Sequence, residues 1–260
     1  MDDLKQYTIL ITGSASGNGL GIATVCTKYF RKIILIDKDK DNLDIAKEQL
    51  NKLIKQNTSC CIIDTYTSDL SDYLQRCKLI ENILSKYKVI HCIVNNAGVS
   101  LFPSKNASFA EKLKVWNYTI EVNLTATFHI ISELNKLIPD DLGTIINITS
   151  LNSTLAFPDN PSYMSSKGGL RQLTLSFAND LSKRGIRVNS IAPGYIRTNM
   201  TLNSWKDLQK RRDRTNRTML GRWGKPKDLG GIVCFLASEM SSYITGQEIY
   251  IDGGWSTKGL

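Results

Sequence analysis

Tyr163 and Lys167 stand four residues apart in the run Tyr163-Met164-Ser165-Ser166-Lys167. On a helix that spacing puts both side chains on one face, one turn apart. A phenol is a poor base near neutrality, because its unperturbed pKa is about 10. An ammonium one turn away favours phenolate and is expected to lower that value, making Tyr163 a general acid/base. The pair alone is weak evidence, since Tyr and Lys at this spacing also decorate ordinary helix surfaces. Ser150, 13 residues before Tyr163, adds a hydroxyl at the end of the apolar run Thr144–Ile148.

A second constellation lies near the N-terminus. The apolar run Tyr7–Ile11 leads into Thr12-Gly13-Ser14-Ala15-Ser16-Gly17-Asn18-Gly19, and a helical pattern follows from Gly19 to Phe30. Glycines between strand and helix permit a tight turn and let backbone amides and the helix dipole meet a pyrophosphate. The next strand-like run, Lys32–Asp37, ends on a carboxylate 18 residues beyond Gly19. A carboxylate there suits an adenosine ribose and repels a 2′-phosphate. NAD is therefore expected rather than NADP, with Lys38, next to Asp37, as the opposing charge.

These residues need a scaffold, and the chain supplies alternating segments. Ser59–Tyr66 and Val89–Val94 read as strands, as do Arg187–Ile191 and Glu248–Ile251. Between them Asn42–Lys55, Leu70–Tyr87, Phe109–Ile138, Tyr163–Lys183 and Lys227–Ser238 read as helices. Short apolar runs separated by helices predict a mostly parallel sheet covered on both faces. Ligands of such sheets bind beyond the strands' carboxyl ends. The 260 residues divide at no linker and contain no repeat.

Composition narrows the class further. No apolar run approaches the length of a membrane span, and Met1-Asp2-Asp3 does not read as a secretory signal, so a cytoplasmic protein is expected. The six cysteines lack Cys-x-x-Cys spacing and the histidines are His91 and His129 alone, so no metal site is expected. Most cysteines lie in apolar runs and read as small buried hydrophobes. The net charge is +9, and Lys206–Arg222 supplies +5 of it, with seven cations against Asp207 and Asp213.

Taken in order, the Thr12–Gly19 loop, Asp69-Leu70, Asn95-Asn96-Ala97-Gly98, Asn123, Ser150, Tyr163/Lys167, Pro193-Gly194 with Thr198, Ile244-Thr245-Gly246 and Asp252-Gly253-Gly254 resemble the short-chain dehydrogenase/reductase family over the whole chain. The resemblance implies a single-domain Rossmann fold, a doubly wound sheet of about seven strands with helices on both faces. It implies an oxidoreductase moving hydride between NAD(H) and a secondary alcohol or carbonyl. Tyr163 would transfer the substrate proton, Ser150 would hold the reacting oxygen, and Lys167 would hold the nicotinamide ribose. Asn123 would anchor a water in the proton relay. The cofactor would be lined by Gly13, Ser16, Asn18, Gly19, Asp37, Asp69, Leu70, Asn96, Ala97, Gly98, Tyr163, Lys167, Pro193, Gly194, Ile196 and Thr198. Asn18 departs from the family's usual aliphatic residue; it either hydrogen-bonds the cofactor or substrate, or is merely tolerated.

The family places a lid after Pro193-Gly194, here about 195–225, and the basic stretch lies within it. That stretch reads either as a solvated charged surface or as the reader of an anionic substrate group. Ser150, Asn152, Phe157, Tyr195 and Met200 are the expected substrate contacts, with Leu101, Phe102 and Leu155 as further candidates. The expected substrate is a polar sugar, polyol or sugar acid. The alternative is a 3-oxoacyl thioester on an acyl carrier protein, reduced with NADPH; a regulatory or nucleic-acid-binding protein on the same fold is remote. His91, where the family often carries an acidic residue, is expected to pack rather than react. A homotetramer or homodimer is expected, through the helix bearing Trp116, Phe128 and His129, the Tyr163 helix and the last strand.

Overall fold

The computed structural model describes residues 1–259. Its strands are β1 (Thr8–Thr12), β2 (Lys32–Asp37), β3 (Ile62–Thr67), β4 (Cys92–Asn95), β5 (Thr144–Ile148), β6 (Arg187–Pro193) and β7 (Glu248–Ile251). They form one sheet in the order β3-β2-β1-β4-β5-β6-β7, and every pairing is parallel. The chain winds outward from β1 to β3, then returns to the other side of β1 at β4. A crevice opens where the order reverses, beyond the carboxyl ends of β1 and β4.

Strand alternation supplies both faces of the sheet. Ile9, Ile11, Ile33 and Leu35 pack on α1 (Gly17–Cys26), α2 (Lys40–Gln56) and the later helix Gly230–Ala237. Leu10, Ile34, Ile93, Ile145 and Val188 point the other way. They meet α3 (Tyr73–Lys86), α5 (Ala126–Leu134) and α6 (Pro161–Leu181). Because both faces are buried, the strands read as continuous apolar runs rather than alternating ones.

Several boundaries moved for local reasons. The helix expected from Leu70 begins at Tyr73, because Asp72 Oδ1 accepts the Leu74 and Gln75 N–H groups and caps it there. The expected strands at 59–66 and 89–94 are Ile62–Thr67 and Cys92–Asn95. The long helical stretch 109–138 is interrupted: α4 (Phe109–Ile120) passes through a π segment, Glu121–Thr125, into α5. Such segments occur disproportionately at functional sites, and this one carries the buried Asn123.

Cys26, Cys61, Cys92 and Cys234 are buried, whereas Cys77 is half-buried and Cys60 exposed. His91 Nδ1 accepts the Thr8 N–H at 3.1 Å, and its ring stacks on Tyr7 at 4.2 Å. Burial lowers its pKa, so it packs as a neutral ring. Among the described residues no helix is long and apolar enough to cross a membrane.

Candidate active site

A cleft of about 810 Å³ lies over the carboxyl ends of the strands. At its floor the glycine loop is clamped from the neighbouring strand. Asn96 Nδ2 donates to the Thr12 and Gly13 carbonyls, while Thr12 Oγ1 accepts the Asn96 and Ala97 N–H groups. Gly17 has φ of +53°, and a Cβ at Gly19 would lie 2.2 Å from the Gly13 carbonyl oxygen. The loop therefore demands glycine at both positions. Asn18 lines the cleft, and its Oδ1 is buried with no hydrogen-bond partner. A tight glycine turn at a helix N-terminus, with no room for a Cβ at Gly13 or Gly19 and an unspent Asn18 acceptor, fits a dinucleotide.

Asp37 braces this loop. Its Oδ2 accepts the Ala15 N–H at 2.9 Å and its Oδ1 the Asp39 N–H at 3.1 Å. Lys38 Nζ contacts the Tyr118 hydroxyl at 3.1 Å and lies 3.9 Å from Asp69. Asp69 Oδ1 in turn holds Ser71 through its N–H and hydroxyl, and Leu70 is buried beside it. All of these residues except Ser71 line the cleft or, in the case of Ala15 and Asp39, support its edge.

Tyr163 and Lys167 enter from α6. Asn160 caps that helix by accepting the Tyr163 N–H at 3.3 Å, donates to Ser100 Oγ at 2.9 Å, and is followed by Pro161 at the first helical position. The cap fixes Tyr163 in the first turn, against the loop that follows β5. Ser150 stands beside Tyr163, close enough to pull its pKa downward. The Ser150 Oγ donates to Asn152 Oδ1 at 3.1 Å. Lys167 is buried, donates to the Ile148 carbonyl at 2.6 Å, and sits 5.8 Å from the centroid of the Tyr163 ring.

The protonation states depart from expectation. Burial holds the Tyr163 pKa above its ordinary value, against a smaller downward pull from Ser150. The expected lowering by Lys167 does not prevail, because the ammonium bonds the Ile148 carbonyl rather than the phenol. Burial also depresses Lys167 from 10.5 to about 8. The phenol is thus protonated at neutral pH, with a lysine poised to titrate beneath it.

Asn123 lies behind the wall of the cleft. A Cβ at Gly98 would sit 3.3 Å from Asn123 Oδ1 and 3.5 Å from Lys167 Nζ, so the two residues flank the same glycine. The Asn123 amide donates to the Val99 carbonyl and Ser166 Oγ, and its oxygen accepts the Val99 N–H. Both side-chain amide donors are therefore spent, and the side chain clips the Val99 segment to α6 and the π segment.

The segment after β6 folds over the other end. Its base is closed by a parallel bridge between Ile196 and Gly224, with Gly224 N–H donating to the Tyr195 carbonyl. Thr198 stands against the glycine loop, 3.6 Å from where a Cβ on Gly17 would be. Two short helices follow, α7 (Leu202–Lys206) and α8 (Leu208–Arg217). Phe157 stacks on Trp255 at 5.4 Å, and Tyr195 packs against Trp223 and Trp255.

The structure gathers nearly every anticipated residue around this one cleft. Gly13, Ser16, Asn18, Asp37, Asp69, Leu70, Asn96, Ala97, Gly98, Pro193, Gly194, Ile196 and Thr198 line it, as do Ser150, Asn152, Phe157, Tyr163, Lys167, Tyr195 and Met200. Gly19 and Asn123 support the wall from behind, and Phe102 joins the lining while Leu101 and Leu155 do not. Sequence reading missed Tyr118, Ser100 and Asn160. Asn160-Pro161 ahead of a helical run is a capping signal that would have found the last of these.

The family model described as Enoyl-(Acyl carrier protein) reductase matches residues 13–256. The chain is 35% identical to the 3-oxoacyl-[acyl-carrier-protein] reductase of Thermotoga maritima, over 96% of this chain and 98% of that one. It is 33% identical to the 5-keto-D-gluconate 5-reductase of Escherichia coli K12, over 96% of both. A gluconate 5-dehydrogenase from Burkholderia cenocepacia, solved with NADP and tartrate, superposes with a TM-score of 0.83 at 27% identity, covering 97% of this chain and 96% of that one.

Proposed function

The chain belongs to the short-chain dehydrogenase/reductase family, and from that premise we propose that it interconverts a secondary alcohol and a ketone on a sugar, polyol or sugar acid, with Tyr163 as general acid/base. The observation that carries this reading is the convergence of Ser150, Tyr163 and Lys167 beside a glycine cradle in one cleft. Relatives acting on gluconate-type compounds support the substrate class. When bound, a nicotinamide dinucleotide supplies or accepts the hydride.

The chain's own residues handle the oxygen and its proton. Ser150 hydrogen-bonds the substrate oxygen and holds it within reach of Tyr163. In reduction the neutral phenol donates its proton to the developing alkoxide; in oxidation it must first lose that proton. Lys167 holds the ribose hydroxyls and stabilises the phenolate left behind. Asn123 positions the Val99 segment that shapes the floor between Gly98 and Lys167. The segment about 195–225 covers the substrate and excludes water. The Trp116 and Phe128 face, exposed on α4 and next to α6's Phe177 on α5, forms the subunit contact of a homodimer or homotetramer.

NAD(H) is the proposed cofactor, because Asp37 is locked at the adenosine end by two backbone amides and would repel a 2′-phosphate. NADP(H) is the second reading: Lys38 lines the same corner, and the Burkholderia relative was solved with NADP. Asp37→Asn keeps an oxygen for one amide while removing the charge. It is expected to shift the NADPH-to-NADH ratio of kcat/KM upward by about 10- to 100-fold. An unchanged ratio would exclude Asp37 from cofactor choice. The function itself is tested by following reduced-nicotinamide absorbance across sugars, polyols, sugar acids and a 3-oxoacyl thioester; turnover of the thioester alone would reverse the substrate proposal.

A further inference from the structure

The cations of the basic stretch do different jobs, and the packing sorts them. Arg197, ahead of the stretch, and Arg211 lie over the Trp205 ring, at 4.7 and 3.9 Å from its centroid. Trp205 meets Trp223 edge-on at 5.2 Å, and the Trp223 indole donates to the Arg211 carbonyl. Arg217 lies 4.4 Å over Trp255, and Arg222 pairs with Asp228 at 2.7 Å. These four arginines fasten α8 and its flanks to the body of the protein through aromatic faces and one ion pair.

Arg214 is different. It lines the cleft, and its guanidinium lies over the Tyr195 ring at 4.7 Å. Its Nη1 is shielded from solvent and donates to nothing among the described residues, which also give Arg214 no ion pair. A guanidinium with no protein acceptor can meet an anion entering the cleft without first breaking a contact. The aromatic face fixes the plane of the guanidinium, and Arg214, whose side chain makes no hydrogen bond with any described residue, lines the cleft uncommitted to any protein acceptor. Lys210, one turn earlier, lines the same end but is largely exposed and pairs with Asp207 at 3.4 Å.

We propose that Arg214, with Lys210 as a secondary cation, is the site that recognises the carboxylate of a small polyhydroxylated acid whose reacting carbon lies at Ser150 and Tyr163; this rests on the oxidoreductase reading above. The cleft lining also carries short polar groups, Asn152, Asn199, Thr201 and Ser204, suited to hydroxyls along the chain of such an acid. Asp159 also lines the cleft. Its negative charge disfavours a dianionic phosphate more than a monoanionic carboxylate. Arg214 thus selects the acid over its neutral polyol.

The test compares D-gluconate with D-glucitol, which shares its run of secondary alcohols but replaces the carboxylate by a hydroxymethyl group. Calorimetry on enzyme loaded with reduced cofactor measures binding without turnover, since the alcohol form cannot react there. Gluconate is expected to bind about 10- to 100-fold more tightly than glucitol. Arg214→Met should bring that ratio near one, and Arg214→Lys should retain part of it, because it keeps the charge and loses the fork. Equal binding of the two compounds by the unaltered protein, or an undiminished ratio in a folded Arg214→Met, would overturn the proposal, as would tighter binding of a sugar phosphate than of gluconate. Turnover is the separate arm. Equal kcat/KM for acid and polyol refutes the carboxylate site and keeps the oxidoreductase reading; Arg214-dependent binding of gluconate with no hydride transfer to any compound does the reverse.

Discussion

Tyr163→Phe is expected to lower turnover by about 10²- to 10⁴-fold, the range typical of a lost general acid/base. The ring remains, so the packing of the first turn of α6 and its Asn160 cap should persist. Only the hydroxyl is removed. The two reaction directions should differ in their response to pH. Burial keeps the phenol protonated near neutrality, so reduction has its acid ready and should be flat across that range. Oxidation needs the phenolate and should accelerate as the medium becomes alkaline. Initial rates in both directions, with circular dichroism and cofactor fluorescence on the same preparations, check this. A folded Tyr163→Phe variant with near-normal turnover would remove Tyr163 from the chemistry.

Lys167→Met should produce opposite effects on activity and stability. Activity should collapse, by a factor comparable to that for Tyr163→Phe, because the buried ammonium is the cation beneath the phenol. Stability should rise. Folding depresses the Lys167 pKa from 10.5 to about 8, which corresponds to a burial cost of up to about 3 kcal/mol while both states are protonated. Methionine avoids that cost but leaves the Ile148 carbonyl unpaired, which takes back about 1 kcal/mol. The expected net gain at neutral pH is therefore about 1–2 kcal/mol. Between the folded and unfolded pKa values the unfolded chain binds more protons. The stability of the unaltered protein then climbs with pH through that window, and the gap to the variant closes. Urea midpoints on either side of pH ~8 measure it; a variant less stable at neutral pH would show that the hydrogen bond outweighs the buried charge.

Much of the site was legible because its signals are local. The Tyr163–Lys167 spacing, the glycines between a strand and a helix, and a carboxylate closing β2 each follow from backbone periodicity, so the structure could only place them side by side. What was hidden depends on contacts between distant segments. Nothing within Lys206–Arg222 distinguishes Arg214 from Arg211 and Arg217 until Trp205 and Trp255 are folded against those two and Tyr195 against Arg214 at the cleft. The contacts of Asn123 were hidden for the same reason: its partners Val99 and Ser166 are 24 and 43 residues away. The direction of the Tyr163 shift was misread because spacing reports a neighbouring charge but not the burial that opposes it. The π segment has no periodic signature separating it from the α-helices on either side.

The most direct test of the central claim uses reduced cofactor carrying deuterium at the nicotinamide position that donates hydride, together with 5-keto-D-gluconate as acceptor. Product analysed by mass spectrometry and NMR should carry the deuterium on the former carbonyl carbon, and the Tyr163→Phe variant should form it at a rate lower by about 10²- to 10⁴-fold. Absence of deuterated product with this and every other ketone of the sugar and sugar-acid class, from protein that binds the cofactor, would contradict the proposed function.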